Sequence, residues 1–143
     1  MALPSVGGGY QLGDGNLNEV TIGDQGTLTA LTGASNTLTA AQLTANIITI
    51  NSGGAGATAI TTPTGAQIDA LLTNAKIGST FDVALINIST TSGDVANLVA
   101  GTGITFVGNV YLAVGNASAA AASSALFRFA RTASAAWSCY RIG

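Results

Sequence analysis

Six carboxylates, one thiol and no histidine bound the chemistry this sequence offers. Without histidine the common general base, the Ser-His-Asp and Cys-His arrangements and the usual zinc ligand are all missing. Paired carboxylates alone can hydrolyse a glycoside when they sit about 5–9 Å apart. Here Asp14, Glu19, Asp24, Asp69, Asp82 and Asp94 are scattered, mostly beside glycine in turns, and nothing makes two of them converge. Asp82 alternates with core residues and is either buried or solvent-facing. Asp14-Gly15-Asn16-Leu17-Asn18-Glu19 starts like a calcium loop, but Glu19 stands where that loop needs glycine and Gln25 where it needs a bidentate glutamate. It is read as a polar turn. No glycine-rich phosphate loop runs into Lys-Ser or Lys-Thr. The expectation is a protein that is not an enzyme, with no catalytic, cofactor or metal residues.

Cys139 is the single cysteine, so no intramolecular disulfide forms, which fits synthesis in a reducing cytoplasm. Between Ser138 and Tyr140 it is expected to be a small buried residue. Met1-Ala2-Leu3-Pro4-Ser5 has neither a basic start nor an apolar run, so no secretion signal is expected. No run of 18 apolar residues occurs, so no membrane span is expected either.

Composition carries more information than motifs. Only 7% of the 143 residues are charged, against about 25% in ordinary soluble domains. Hydrophobic residues reach 48%, much of it alanine, while aromatics are 6%. A monomer normally covers itself with charge. A surface of Thr, Ser, Ala and Gly is cheap to desolvate and suits burial against neighbouring chains, although a rigid extracellular β-protein with a neutral surface has the same composition. The net charge of −2 argues against a nucleic-acid partner. Residues 1–75 contain Asp14, Glu19, Asp24 and Asp69 without a single Lys or Arg. Residues 76–143 contain Lys76, Arg128, Arg131 and Arg141 against Asp82 and Asp94. Either the acidic part of one copy meets the basic part of another, or the charges pair within one chain or face solvent. The residues expected to meet a partner are Tyr10, Glu19, Asp24, Arg128 and Arg131.

The elements that must position these residues are mostly strands. Residues 1–33, punctuated by Gly7-Gly8-Gly9, Gly13-Asp14-Gly15 and Gly23-Asp24-Gln25-Gly26, are read as an extended arm that orders on a partner. The alternative is a glycine-rich edge strand of the same domain. Thr27-Leu28-Thr29-Ala30 recurs as Thr37-Leu38-Thr39-Ala40, an echo too brief for a solenoid and read as two similar strands. Asn46–Ile50 and Ala57–Thr61 flank the turn Asn51-Ser52-Gly53-Gly54 and read as a hairpin. Thr64 caps the one expected helix, with Ile68, Leu71 and Leu72 on its buried face. Phe81–Ile88, apolar on both faces, is expected to be a central strand. Val95–Val99, Ile104–Val107, Val110–Val114, Leu126–Phe129 and Trp137–Ile142 complete the strands. Phe127, Phe129, Trp137 and Tyr140 are read as core, with Arg128, Arg131 and Arg141 outward, in preference to a basic-aromatic surface that stacks on single-stranded nucleic acid. Residues 34–143 are thus expected to form an all-β domain, an antiparallel β-sandwich or jelly roll with one short helix and the Gly-rich N-terminal arm.

Several segments resemble small virion proteins of tailed bacteriophages of the marine and cyanobacterial kind. They run from Val6-Gly7-Gly8-Gly9-Tyr10-Gln11-Leu12-Gly13-Asp14-Gly15-Asn16 through Leu38-Thr39-Ala40-Ala41-Gln42-Leu43 and Thr62-Pro63-Thr64-Gly65. Ala75-Lys76-Ile77-Gly78-Ser79-Thr80-Phe81, Ala100-Gly101-Thr102-Gly103 and Tyr140-Arg141-Ile142-Gly143 extend the likeness over most of the chain. The resemblance implies a capsid decoration, or cement, protein: β-rich, commonly a homotrimer, made in the host cytoplasm and bound to the major capsid protein on the outer shell. Two other roles stay open. One is a head- or tail-fibre component. The other is a carbohydrate-binding module, whose aromatic platform would come from Trp137, Tyr111 or Tyr10.

Overall fold

In the computed structural model, which describes residues 28–115 and 123–143, ten strands form two sheets around one apolar core. The strands are β1 (Thr29–Thr32), β2 (Ser35–Thr37), β3 (Ile47–Asn51), β4 (Thr58–Thr61), β5 (Thr80–Asn87), β6 (Ala96–Val99), β7 (Ile104–Val107), β8 (Tyr111–Leu112), β9 (Ser124–Ala133) and β10 (Ala136–Arg141). Two short helices, α1 (Ala40–Leu43) and α2 (Gly65–Leu71), fall between β2 and β3 and between β4 and β5. The larger sheet has the order β1-β3-β5-β9-β10-β7 and the smaller the order β2-β4-β6-β8.

The expected all-β, two-sheet character is present, but the antiparallel pattern is not. Five of the eight described ladders are parallel. From β1 to β6 the chain alternates between the sheets, so β1, β3 and β5 stack in parallel in one and β2, β4 and β6 in the other. This is three turns of a two-sheet coil, a solenoid-like winding in place of a jelly roll. The antiparallel hairpin β9–β10 then closes the larger sheet against β5 and β7. The expected hairpin of Asn46–Ile50 and Ala57–Thr61 is instead a corner, because β3 and β4 lie in different sheets. Gly53, Gly54 and Gly56 take φ of 65°, 87° and 82°, and the Asp94 carboxylate holds the amides of Gly54 and Gly56. Three left-handed glycines, two of them held by a remote anion and Gly53 by Asn51 Oδ1, turn the strand across the core rather than back on itself.

Helix α2 has the expected cap. Thr64 Oγ1 accepts from the Gln67 amide while Gln67 Oε1 accepts from the Thr64 amide, a reciprocal capping box. Thr39 and Gln42 repeat the device at α1, a helix the sequence reading missed because it spans only four residues. The second copy of the Thr-Leu-Thr-Ala echo therefore ends a strand and caps a helix, while the first enters β1. Ile68 is fully buried, but Leu71 is 46% exposed and Leu72 only packs partly against the core. The helix stops at Leu71, so the helical spacing no longer governs Leu72, and Leu71 itself lies on the exposed side of the last turn. Residues 28–33 of the expected arm contain β1, an edge strand paired with β3; the rest of that arm lies outside the described residues.

Strand β5 is central, between β3 and β9, as its sequence implies. Val83 and Leu85 point into a core completed by Ile48, Ile50, Ile60, Leu112, Phe127, Phe129 and Trp137. Phe81 stacks on Phe129, with centroids 5.1 Å apart, and tilts against Trp137 at 5.5 Å. Cys139 is buried on the same inner face, and desolvation pushes its thiol up to about 12, which keeps it protonated and inert at neutral pH.

Candidate interaction surface

Among the described residues the fold uses nearly all of its charges internally. Asp69, on α2, accepts from Arg131 Nε at 3.0 Å and Nη2 at 2.6 Å, from the Ala135 amide at 2.8 Å and from Trp137 Nε1 at 2.9 Å. Arg131 also donates to the Ala75 carbonyl. This bidentate pair ties the helix to the β9–β10 hairpin. Asp82 and Arg128 are cross-strand partners on β5 and β9 and form a second bidentate pair at 2.8 and 2.7 Å. Asp94 is 1% exposed. Arg141 donates to the carbonyls of Asn109 and Tyr111. Of the charged side chains in the described residues, only the Lys76 ammonium has neither an ion pair nor a hydrogen bond among them.

Of the residues expected to meet a partner, Arg128 and Arg131 thus have carboxylates of their own chain. Tyr10, Glu19 and Asp24 lie outside the described residues, as does the calcium-like segment from Asp14 to Gln25. Intrachain pairing, one of the two alternatives for these charges, holds for both arginines. Sequence spacing gives no access to it, because Asp69 and Arg131 are brought together only by the packing of α2 on the closing hairpin.

Two carboxyls are held far below their ordinary value of 3.8. The Arg131 guanidinium and then the Ala135 amide bring Asp69 to about 2 against the opposing effect of desolvation. Asp94 is also held at about 2, by the hydroxyls of Ser52 and Ser89 and by the Gly54 and Gly56 amides. Ser89 Oγ donates to it at 2.6 Å. Around Asp94 the Asn87 amide donates to the carbonyls of Asp94 and Ala113, so one polar cluster joins the end of β5 to the second sheet. A carboxyl depressed in the folded state stabilises the fold above its unfolded pKa and loses that contribution as pH falls through the folded one. Stability is therefore expected to be level near neutrality and to drop from about pH 4 towards pH 2. Urea midpoints across that range check this, and Asp69→Asn with Asp94→Asn should flatten the drop. A midpoint unchanged down to about pH 2 would contradict it.

The outer face of the larger sheet carries exposed apolar side chains, Leu126, Tyr140 and Val107 among them. Along β9, Ala125, Phe127 and Phe129 point inward while Ser124, Leu126 and Arg128 point out. Register aligns the outward residues into rows: Ile47, Ala84 and Leu126 lie side by side on β3, β5 and β9. Ile142 extends the row through its amide bond to the Leu126 carbonyl. Ile86 flanks the row on one side, and Tyr140 and Val107 on the other. Leu126 and Ile142 are exposed, Ile47 and Ala84 half-buried. The only charges among these rows are the mutually neutralising Asp82 and Arg128. Alternation around Leu126 was the sequence signal for an outward apolar residue; the alignment of the row needed the pairing.

A groove of about 370 Å³ lies beside α2, between Leu71, Leu72 and Ala75 on one wall and Thr80, Phe81 and Trp137 on the other. Trp137 is 1% exposed and its indole N–H is already bonded to Asp69, so it offers no stacking platform for a sugar. No group of three or more His, Cys, Asp or Glu placed to hold a metal occurs among the described residues, and none of their helices is long and apolar enough to cross a membrane. The chain matches no protein-family model, and it has no significant match among curated proteins or solved structures.

Proposed function

We propose that this chain is a structural virion protein that decorates the capsid of a tailed bacteriophage and stabilises it by bridging subunits of the major capsid protein. The observation that carries this reading is the near absence of free charge on the described surface. Two bidentate ion pairs, a buried Asp94 and a carbonyl-bound Arg141 leave Lys76 as the only charged side chain of the described residues without a partner among them. Such a surface is poorly suited to a solitary soluble domain and well suited to burial, because Thr, Ser, Ala and Gly lose little hydration at a contact. A shell under pressure from packaged DNA gains from many rigid clamps across its subunit boundaries. The lattice of parallel ladders and buried carboxylate ties supplies the rigidity. The sequence resemblance supports the phage setting, with assembly on the outer shell after synthesis in the host cytoplasm. Counting this chain against the major capsid protein in purified particles tests the reading: hundreds of copies support decoration, and a few tens or fewer move it to a fibre or tail part.

A further inference from the structure

We propose that the outer face of the six-stranded sheet packs against the same face of a second copy of this chain, about a two-fold axis that runs along the strands between β5 and β9. The inference rests on the reading of this protein as a component of an assembly and names one of its contacts.

The sheet is divided evenly by that line, with β1, β3 and β5 on one side and β9, β10 and β7 on the other. A two-fold along it lays the partner's β9 over β5 and the partner's β10 over β3. Residues level with each other in the sheet then meet across the interface. Ala84 and Leu126 are level, so each Leu126 lands on the small Ala84 opposite. Ile86 and Ser124 are level, which again sets a large side chain on a small one. Ile47 meets Ile142. Asp82 and Arg128 are level too, so each arginine faces the other copy's aspartate, and two intrachain pairs become one four-charge network. No like charges are opposed. This is the self-complementarity an isologous contact requires, where residue i meets j and j meets i.

Size agrees with shape. Six strands about 4.8 Å apart, each roughly 20 Å long, give a projected face of roughly 600 Å². Side-chain relief brings that close to the about 800 Å² per partner of a standard interface. Face-to-face sheets pack about 10 Å apart with nearly aligned strands, as this axis makes them.

Sedimentation of the purified full chain from about 0.1 to 100 µM, the range in which such interfaces associate, is the test. A dimer is expected. Leu126→Arg should weaken it at least about 100-fold while leaving the melting temperature near that of the parent, since this side chain is outside the core. Asp82→Arg and Arg128→Asp give faces of one sign each. Alone, each variant should be monomeric; mixed, they should form a heterodimer. A wild-type monomer throughout the range overturns the proposal. So does a trimer, the state the phage resemblance implies, because a three-fold contact joins unlike surfaces. A dimer indifferent to Leu126→Arg, or a mixture that stays monomeric, overturns it as well. None of these outcomes depends on the number of copies in a particle, so the decoration reading stands or falls separately.

Discussion

Replacing Gly103 with alanine is expected to destabilise the fold by about 3–5 kcal/mol, the sum of a left-handed backbone and a backbone collision. Gly103 has φ of 82°, and a Cβ there would stand 2.1 Å from the Ala135 carbonyl oxygen. Three segments converge at this point. The Gly103 carbonyl accepts the Trp137 amide, Thr102 accepts the Gly65 amide at the start of α2, and a Cβ on Gly65 would also strike Ala135. None can retreat without breaking a hydrogen bond of another. Ala135 itself is left-handed at φ 54°, held there by its amide bond to Asp69. The comparison is Gly93→Ala, where φ is 89° but nothing lies within 4 Å of the added carbon. That change is expected to cost only the conformational part, about 1–2 kcal/mol. Urea unfolding followed by the fluorescence of Trp137, the sole tryptophan, measures both. Equal losses would show that the close approach at Gly103 carries no energy.

Trp137→Ala is the second large effect, expected at about 3–5 kcal/mol for a fully buried aromatic. The ring contacts Phe81, its indole N–H donates to Asp69, and its backbone amide bonds Gly103. The truncation leaves a cavity beside the Phe81–Phe129 stack and removes one of four donors from a carboxylate that the fold keeps ionised. Because the change deletes the fluorophore, circular dichroism is the readout. Trp137→Phe keeps a ring in the core and should lose clearly less. If the two variants unfold at the same denaturant concentration, the hydrogen bond rather than the packing is the main contribution.

These two residues also mark how far the sequence could be read. Some local signals are reliable: Thr64 announces α2 through its cap, and Phe127 and Phe129 alternate into the core. Cys139 is buried where a strand-like tail requires it. What failed was pairing. The turn after β3 has the composition of a hairpin, yet Asp94, some forty residues away, holds its amides and directs the chain to the other sheet. No local feature encodes that grip. The coil is equally hidden, because β1, β3 and β5 begin at residues 29, 47 and 80, and α2 interrupts any period. The sequence reading places the arginines outward and Tyr140 in the core. Arg128 is outward, but Arg131, level with Trp137, turns to Asp69 and the Ala75 carbonyl, and Tyr140 is exposed. The partners Asp69 and Asp82 are set by tertiary contacts. The apolar row Ile47, Ala84, Leu126 and Ile142 draws on three strands and the residue that follows β10, and exists only once they are in register.

A neutral surface meant for burial is the centre of this reading, and its most direct test is stoichiometry. Quantitative mass spectrometry of purified particles gives the ratio of this chain to the major capsid protein. Copies on the order of hundreds, as a shell covered at its subunit boundaries requires, are the expected result. Absence of the chain from the particle would contradict the virion role and leave a charge-poor two-sheet domain whose partner lies elsewhere.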